Sequence, residues 1–98
     1  MKQITYNIRM VDEKHEVISK EIKGYLIKVN GLCFGVDHRS QFSGWYITEL
    51  QSGFKIAAVG RLKYAYDEIM RYIPEIEARL SEMRENDTLF VVNDISKY

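Results

Sequence analysis

The side chains that could do chemistry here are few. His15, His38 and Cys33 are the only imidazole and thiol groups. A protein-only structural zinc site needs four ligands of this kind or added carboxylates, so both histidines are expected at the surface and no metal is expected. Cys33 falls beside Lys28 in the hairpin described below. A basic neighbour lowers a thiol pKa, but a lone cysteine among apolar residues is more commonly a small packing group. Asp37-His38 has the composition of a dyad. Adjacent strand residues point to opposite faces, so no direct bond between these side chains is expected. Ser40 and Ser43 lack a G-x-S-x-G surround, and no phosphate loop or dinucleotide fingerprint occurs. The expectation is a protein that is not an enzyme and carries no cofactor.

Two other constellations suit binding. Lys23, Lys28, Arg39, Arg61 and Lys63 are interleaved with Tyr25, Phe42, Trp45, Tyr46 and Tyr64. Aromatic rings on a sheet beside cations can stack bases. A single-stranded nucleic-acid module using Lys28, Arg39, Trp45, Arg61 and Lys63 is therefore one reading. Formal net charge is zero, whereas nonspecific nucleic-acid binders are usually basic. The charge is unevenly placed: residues 1–66 carry ten Lys/Arg against six Asp/Glu, and residues 67–98 carry four against eight. Binding to another protein is the broader reading, since Trp, Tyr and Arg favour interface hot spots. One candidate patch is Arg39, Phe42, Trp45 and Ile47 with Val59. A second is the acidic run Asp67, Glu68, Glu75, Glu82 and Glu85, which would suit a basic partner, including a nucleic-acid-binding enzyme. The Trp45 face could instead be covered by the chain itself or by a symmetric copy.

The elements that must position these groups follow from periodicity. Residues 3–10 alternate, with Ile4, Tyr6, Ile8 and Met10 on one face, and read as a half-buried strand. Residues 12–14 read as a turn. Residues 15–23 read as a strand because β-branched residues are frequent, although Asp12 and Gly24 would also bracket a helix. Asn30-Gly31 is the usual pair for a two-residue type I′ hairpin. It sets Val29 opposite Leu32, Ile27 opposite Phe34 and Tyr25 opposite Val36. A slip of one residue would bury lysine. Residues 38–44 read as a polar loop. Gln51-Ser52-Gly53 reads as a three-residue turn, with Leu50 facing Phe54 and Glu49 facing Lys55. Both faces of that second hairpin are partly apolar: Tyr46, Thr48 and Leu50 on one, Trp45 and Ile47 on the other. The Trp45 and Ile47 face is expected to need a cover or a partner.

From Arg61 the period changes. Leu62, Tyr66, Ile69, Ile73, Ile76, Leu80 and Met83 recur at helical steps. Pro74 removes a backbone donor and clashes with the preceding turn, so the helix is expected to kink or to split there. Asn86-Asp87 ends it, and 88–92 (TLFVV) reads as a short final strand. The expected fold is α+β: a single domain over 1–98, an antiparallel meander with one long amphipathic helix on one face. No stretch reaches membrane-spanning length. The opening residues lack a signal-peptide run, and one cysteine permits no internal disulfide, so a cytoplasmic protein is expected.

Residues 22–70 resemble a pattern that recurs in small proteins of Gram-positive phages and integrative elements. The resemblance rests on IKGYLIKVNGLCFGV, then GWYITELQSGFKIAAVG, then a helix whose early alanine is Ala65. In those proteins a hairpin with tryptophan, Thr-Glu and Ser/Thr-Gly precedes a similar helix. Here Leu62, Lys63 and Tyr64 stand where they often carry a Thr-Lys-Glu helix start. The resemblance implies a phage or mobile-element accessory role and no chemistry. Within the protein-binding reading, the acidic helix suggests inhibition of a host defence or replication enzyme by charge mimicry, with a host protein or a second copy of the chain as the expected partner in the cytoplasm of a bacterial host. The hairpin-glycine-helix segment also resembles HicB-type antitoxins.

Overall fold

A computed structural model of the protein describes residues 1–40 and 44–98, with Arg39 and Ser40 described by their backbone alone. Phe42 and the Arg39 side chain thus lie outside the described residues. Five strands form one antiparallel sheet: β1 (Gln3–Val11), β2 (Val17–Val29), β3 (Leu32–Ser40), β4 (Gly44–Glu49) and β5 (Lys55–Val59). Neighbours in the sheet follow chain order. A 3-10 turn, Leu62–Tyr64, leads into the helix α1 (Ala65–Glu85), and a second 3-10 turn, Ile95–Lys97, lies near the C-terminus.

Turn chemistry fixes the first hairpins. Asp12 does not start a helix; its carboxylate accepts from the N–H groups of Lys14 (2.9 Å) and Glu16 (2.8 Å) and closes the β1–β2 turn. Residues 17–23 accordingly form strand. Asn30 and Gly31 both take positive φ (51° and 80°), as a type I′ turn requires. The β2–β3 register is the one the sequence demands, with Val29 opposite Leu32, Ile27 opposite Phe34 and Tyr25 opposite Val36.

The β4–β5 hairpin departs from simple alternation. Trp45 pairs with Val59, Tyr46 with Ala58 and Ile47 with Ala57, and then the register shifts so that Thr48 pairs with Lys55. Ile56 is the extra residue of a β-bulge. The expected Glu49–Lys55 pair is thus not made. The Glu49 carboxylate turns back on its own turn and accepts from the Gln51 and Ser52 N–H groups and from Ser52 Oγ, at 3.1, 2.9 and 3.0 Å.

The helix settles which face carries the main core. Ala65, Ile69, Ile73, Ile76 and Leu80 pack on Val29, Phe34, Val36 and Ile47, with Trp45 and Val59 at the margin. The face bearing Trp45 and Ile47 is therefore the one beneath α1, and Ile47 is fully buried. That corrects the expectation of an open tryptophan face. Phe34, Val36 and Ile47 offer α1 a continuous apolar bed, which the Tyr46 side of β4 does not. The helix is also unbroken through Pro74. Ile69, Ile73, Ile76 and Leu80 each contribute about 1.5–3 kcal/mol on burial, which together outweighs the roughly 3 kcal/mol that an interior proline costs.

The opposite face is covered by the protein's own curvature. The outer edge of β1 reaches the β4–β5 turn, where Arg9 N–H donates to the Gly53 carbonyl at 2.9 Å. Inside this curl Ile4, Tyr6, Ile8, Cys33 and Leu50 form a second core, flanked by Leu26, Ile95 and Tyr98. Tyr6 lies against Gly35, where any Cβ would overlap its ring, and its hydroxyl donates to buried Asp37 at 2.9 Å. The final residues close the curl, though not as the expected strand over 88–92. Asn93 substitutes for a ladder: its side chain accepts from Asn7 N–H (2.8 Å) and donates to the Asn7 and Leu50 carbonyls (2.8 and 2.7 Å). An apolar run of strand composition is tied down here by the Asn93 amide beside it, by Val92 N–H donating to the Gln51 carbonyl, by Thr88 N–H donating to the Met83 carbonyl and by Arg9 Nη2 donating to the Phe90 carbonyl.

Candidate functional site

The curl leaves a rim where three distant segments meet: the end of the β1–β2 hairpin, the β4–β5 turn and residues 88–92. In the hairpin Met10 pairs with Ile18 and Val11 with Val17, and all four side chains are exposed, Val17 at 65%. Adjacent residues Val17 and Ile18 point to opposite sides of a strand, so no single covering element could bury both. Phe90 (69% exposed), Val91 and Phe54 complete the rim. Val17, Ile18, Phe90 and Val91 line one groove of about 530 Å³ with Arg9.

Arg9 organises this rim. Its guanidinium carbon lies 4.6 Å from the Phe54 ring centroid and 5.0 Å from that of Phe90. Cation–π attraction of this kind is worth about 0.5–2 kcal/mol per ring. Nη2 also donates to the Phe90 carbonyl at 3.2 Å, while the buried Nε has no hydrogen-bond partner among the described residues. A cation gripped between two rings in an apolar groove suits a partner that brings apolar side chains and a carboxylate.

A second concavity lies between the β4–β5 turn and α1. Glu49, Ser52, Lys55, Tyr72, Glu75 and Arg79 line a cleft of about 260 Å³. Burial pushes the Glu49 carboxyl above its ordinary range, against the opposing effect of the Ser52 and Gln51 donors and of Arg84. Its hydrogen bonds run to its own turn, so its work there is to shape the turn. Cys33 is buried, and burial pushes its thiol up, with Lys28 opposing. A thiol so placed stays protonated near neutrality. Among the described residues no three His, Cys, Asp or Glu side chains gather as a metal would need. His15 sits in the β1–β2 turn with φ 64°. His38 is exposed, and its ring lies tilted against Trp45, 5.1 Å between centroids and 49° between planes.

The residues singled out from sequence are distributed as follows. Ile47 is buried under α1 and meets no solvent. Trp45 is half-buried against the helix-side core and Tyr25. Lys28 lies on the other face of the sheet, paired with Cys33, so Lys28 and Trp45 do not share a surface. Arg61 and Lys63 are exposed, and Lys63 rests its ammonium over Tyr64. Asp67, Glu75, Glu82 and Glu85 are exposed on α1, and half-buried Glu68 pairs with Arg71 at 3.7 Å. No helix is long and apolar enough to cross a membrane among the described residues. Comparison with protein-family models, with curated proteins and with solved structures returned no match. Sequence reasoning missed Arg9, Phe54, Phe90 and Val91. The one local signal was the Val17-Ile18 pair, two β-branched neighbours that no single core face can take.

Proposed function

We propose that this is a non-catalytic accessory protein, of the phage or mobile-element kind that its hairpin pattern resembles, acting by binding another protein. The observation that carries the reading is the apolar rim around Arg9. Contiguous exposed apolar surface rimmed by polar groups marks interaction sites in soluble proteins. The partner it fits presents apolar side chains and an acidic group for Arg9. Sheet aromatics and cations suggest nucleic acid less strongly, because Lys28 and Trp45 stand on opposite faces.

The test is capture from host lysate by the full chain and by two variants, followed by binding of the captured protein in purified form. Val17→Asp/Phe90→Asp places charge in the rim; Asp67→Lys/Glu82→Lys/Glu85→Lys reverses exposed helix acids and probes charge mimicry. The rim variant is expected to lose the partner and the helix variant to retain it. Retention by the rim variant would move the site elsewhere, and loss only by the helix variant would favour mimicry of nucleic acid.

A further inference from the structure

The two outer strands of the sheet are treated very differently. The β1 edge is occupied: Asn93 bonds the Asn7 backbone, Tyr98 the Thr5 carbonyl, and Arg9 N–H the Gly53 carbonyl. The β5 edge has β4 as its one ladder partner among the described residues. Proteins usually guard such an edge with charges, proline or a covering segment. β5 carries one charge, the exposed Lys55 at its first position, and its residues 56–59 are Ile, Ala, Ala and Val, with no proline.

The helix beside that edge carries a stripe of alternating sign. Glu68, Arg71, Glu75 and Arg79 recur at steps of three and four and so share one side of α1. Glu75 and Arg79 line the cleft that Lys55 and Ile56 also line, which places this side next to β5. Read from N to C the stripe is minus, plus, minus, plus. Laid antiparallel against a copy of itself it becomes fully complementary: Glu68 meets Arg79 and Arg71 meets Glu75, each twice. The centre of the stripe lies between Ile73 and Pro74. The centre of β5 is Ala57, whose neighbour Ile56 shares the cleft with Tyr72 and Ile76. One twofold axis can therefore serve both elements.

We infer that β5 and this stripe form an isologous interface with a second copy of the chain. The two β5 edges pair antiparallel about Ala57, with Ile56 opposite Ala58 and Lys55 opposite Val59, so no like charges meet. The two sheets become one ten-stranded sheet, and the two helices lie side by side with their stripes matched. The strand edge supplies main-chain hydrogen bonds, and the stripe fixes orientation and register. Phe54 borders both the rim and the cleft, but none of the four stripe residues lines the groove around Arg9, so the charge reversals leave that groove's side chains in place.

The experiment is sedimentation equilibrium of the full chain and two charge reversals, Arg71→Glu/Arg79→Glu and Glu68→Lys/Glu75→Lys, singly and mixed. Wild type is expected at twice the 11.5 kDa chain mass. Each reversal makes its stripe one sign and should raise the dimer dissociation constant at least about tenfold. Mixing the two reversals should restore the dimer as a heterodimer. Amide exchange gives the edge its own readout: outward β5 amides should be protected in wild type and lose that protection in each reversal alone. Circular dichroism confirms that the variants fold, and Arg71→Glu alone serves if a double reversal does not. A wild-type monomer at every concentration would overturn the inference. So would a dimer indifferent to the reversals, or one with unprotected β5 amides.

Discussion

Glu49 shows how one residue's environment sets a measurable property of the whole protein. It is 2% exposed, and its two oxygens accept three hydrogen bonds from its own turn. Burial still dominates and raises its carboxyl above the ordinary 4.5. The folded protein thus holds this proton more tightly than the unfolded chain does. The resulting stabilisation is fully present below the unfolded pKa and is lost as pH rises through the folded one. Glu49→Gln removes the titration. It also sets an amide N–H₂ against backbone donors, at a pH-independent cost of about 1–3 kcal/mol. Urea unfolding at a series of pH values from acidic to neutral should show wild type losing its advantage over Glu49→Gln as pH rises, then levelling. A constant difference would mean that the turn donors cancel the effect of burial.

Among the elements, α1 is the clearest contest between local preference and packing. Its stripe Ile69, Ile73, Ile76 and Leu80 keeps phase across Pro74, and the helix continues. Pro74 itself is exposed, so replacing it sacrifices little packing. Pro74→Ala restores an N–H to the ladder and should stabilise the protein by about 1–3 kcal/mol. Thermal unfolding reads this as a Tm rise of about 4–8 °C per kcal/mol; an unchanged Tm would show that the helix already relaxes around the ring. The same stripe made the helix legible in the sequence, just as Asn30-Gly31 made the β2–β3 register legible. Each of these signals is local, carried by residues only a few positions apart. The bulge at Ile56 was not legible, because alternation encodes no skipped residue. Nor was the face under α1, because Trp45, Ile47, Tyr46 and Leu50 make both sides of β4 partly apolar. The site was least legible of all. Arg9, Phe54 and Phe90 come together only after the sheet has curled, and nothing in their local spacing announces it.

At the scale of the whole molecule, the curl depends on a few contacts that join the chain's ends to its middle. Asn93 is the most concentrated of them, buried and bonded to Asn7 on β1 and to Leu50 at the β4–β5 turn. It ties residues 88–92, which carry Phe90 and Val91, to the outer strand of the sheet. Asn93→Ala would strand one N–H and two carbonyl groups, each costing about 1–3 kcal/mol if it stays dry. Partial access of water would soften this, so the expected loss is about 2–4 kcal/mol in denaturant unfolding. Local effects should run in one direction. Amides of β1 should exchange faster, whereas those of β3 and α1, held by the helix-side core, should change only with global stability. Since Phe90 reaches Arg9 from the segment that Asn93 anchors, the same variant should weaken partner capture without altering a single rim side chain. If β1 exchange and capture both stayed at wild-type levels, the tail would be a passenger and the rim would owe its shape to the hairpin and the β4–β5 turn alone.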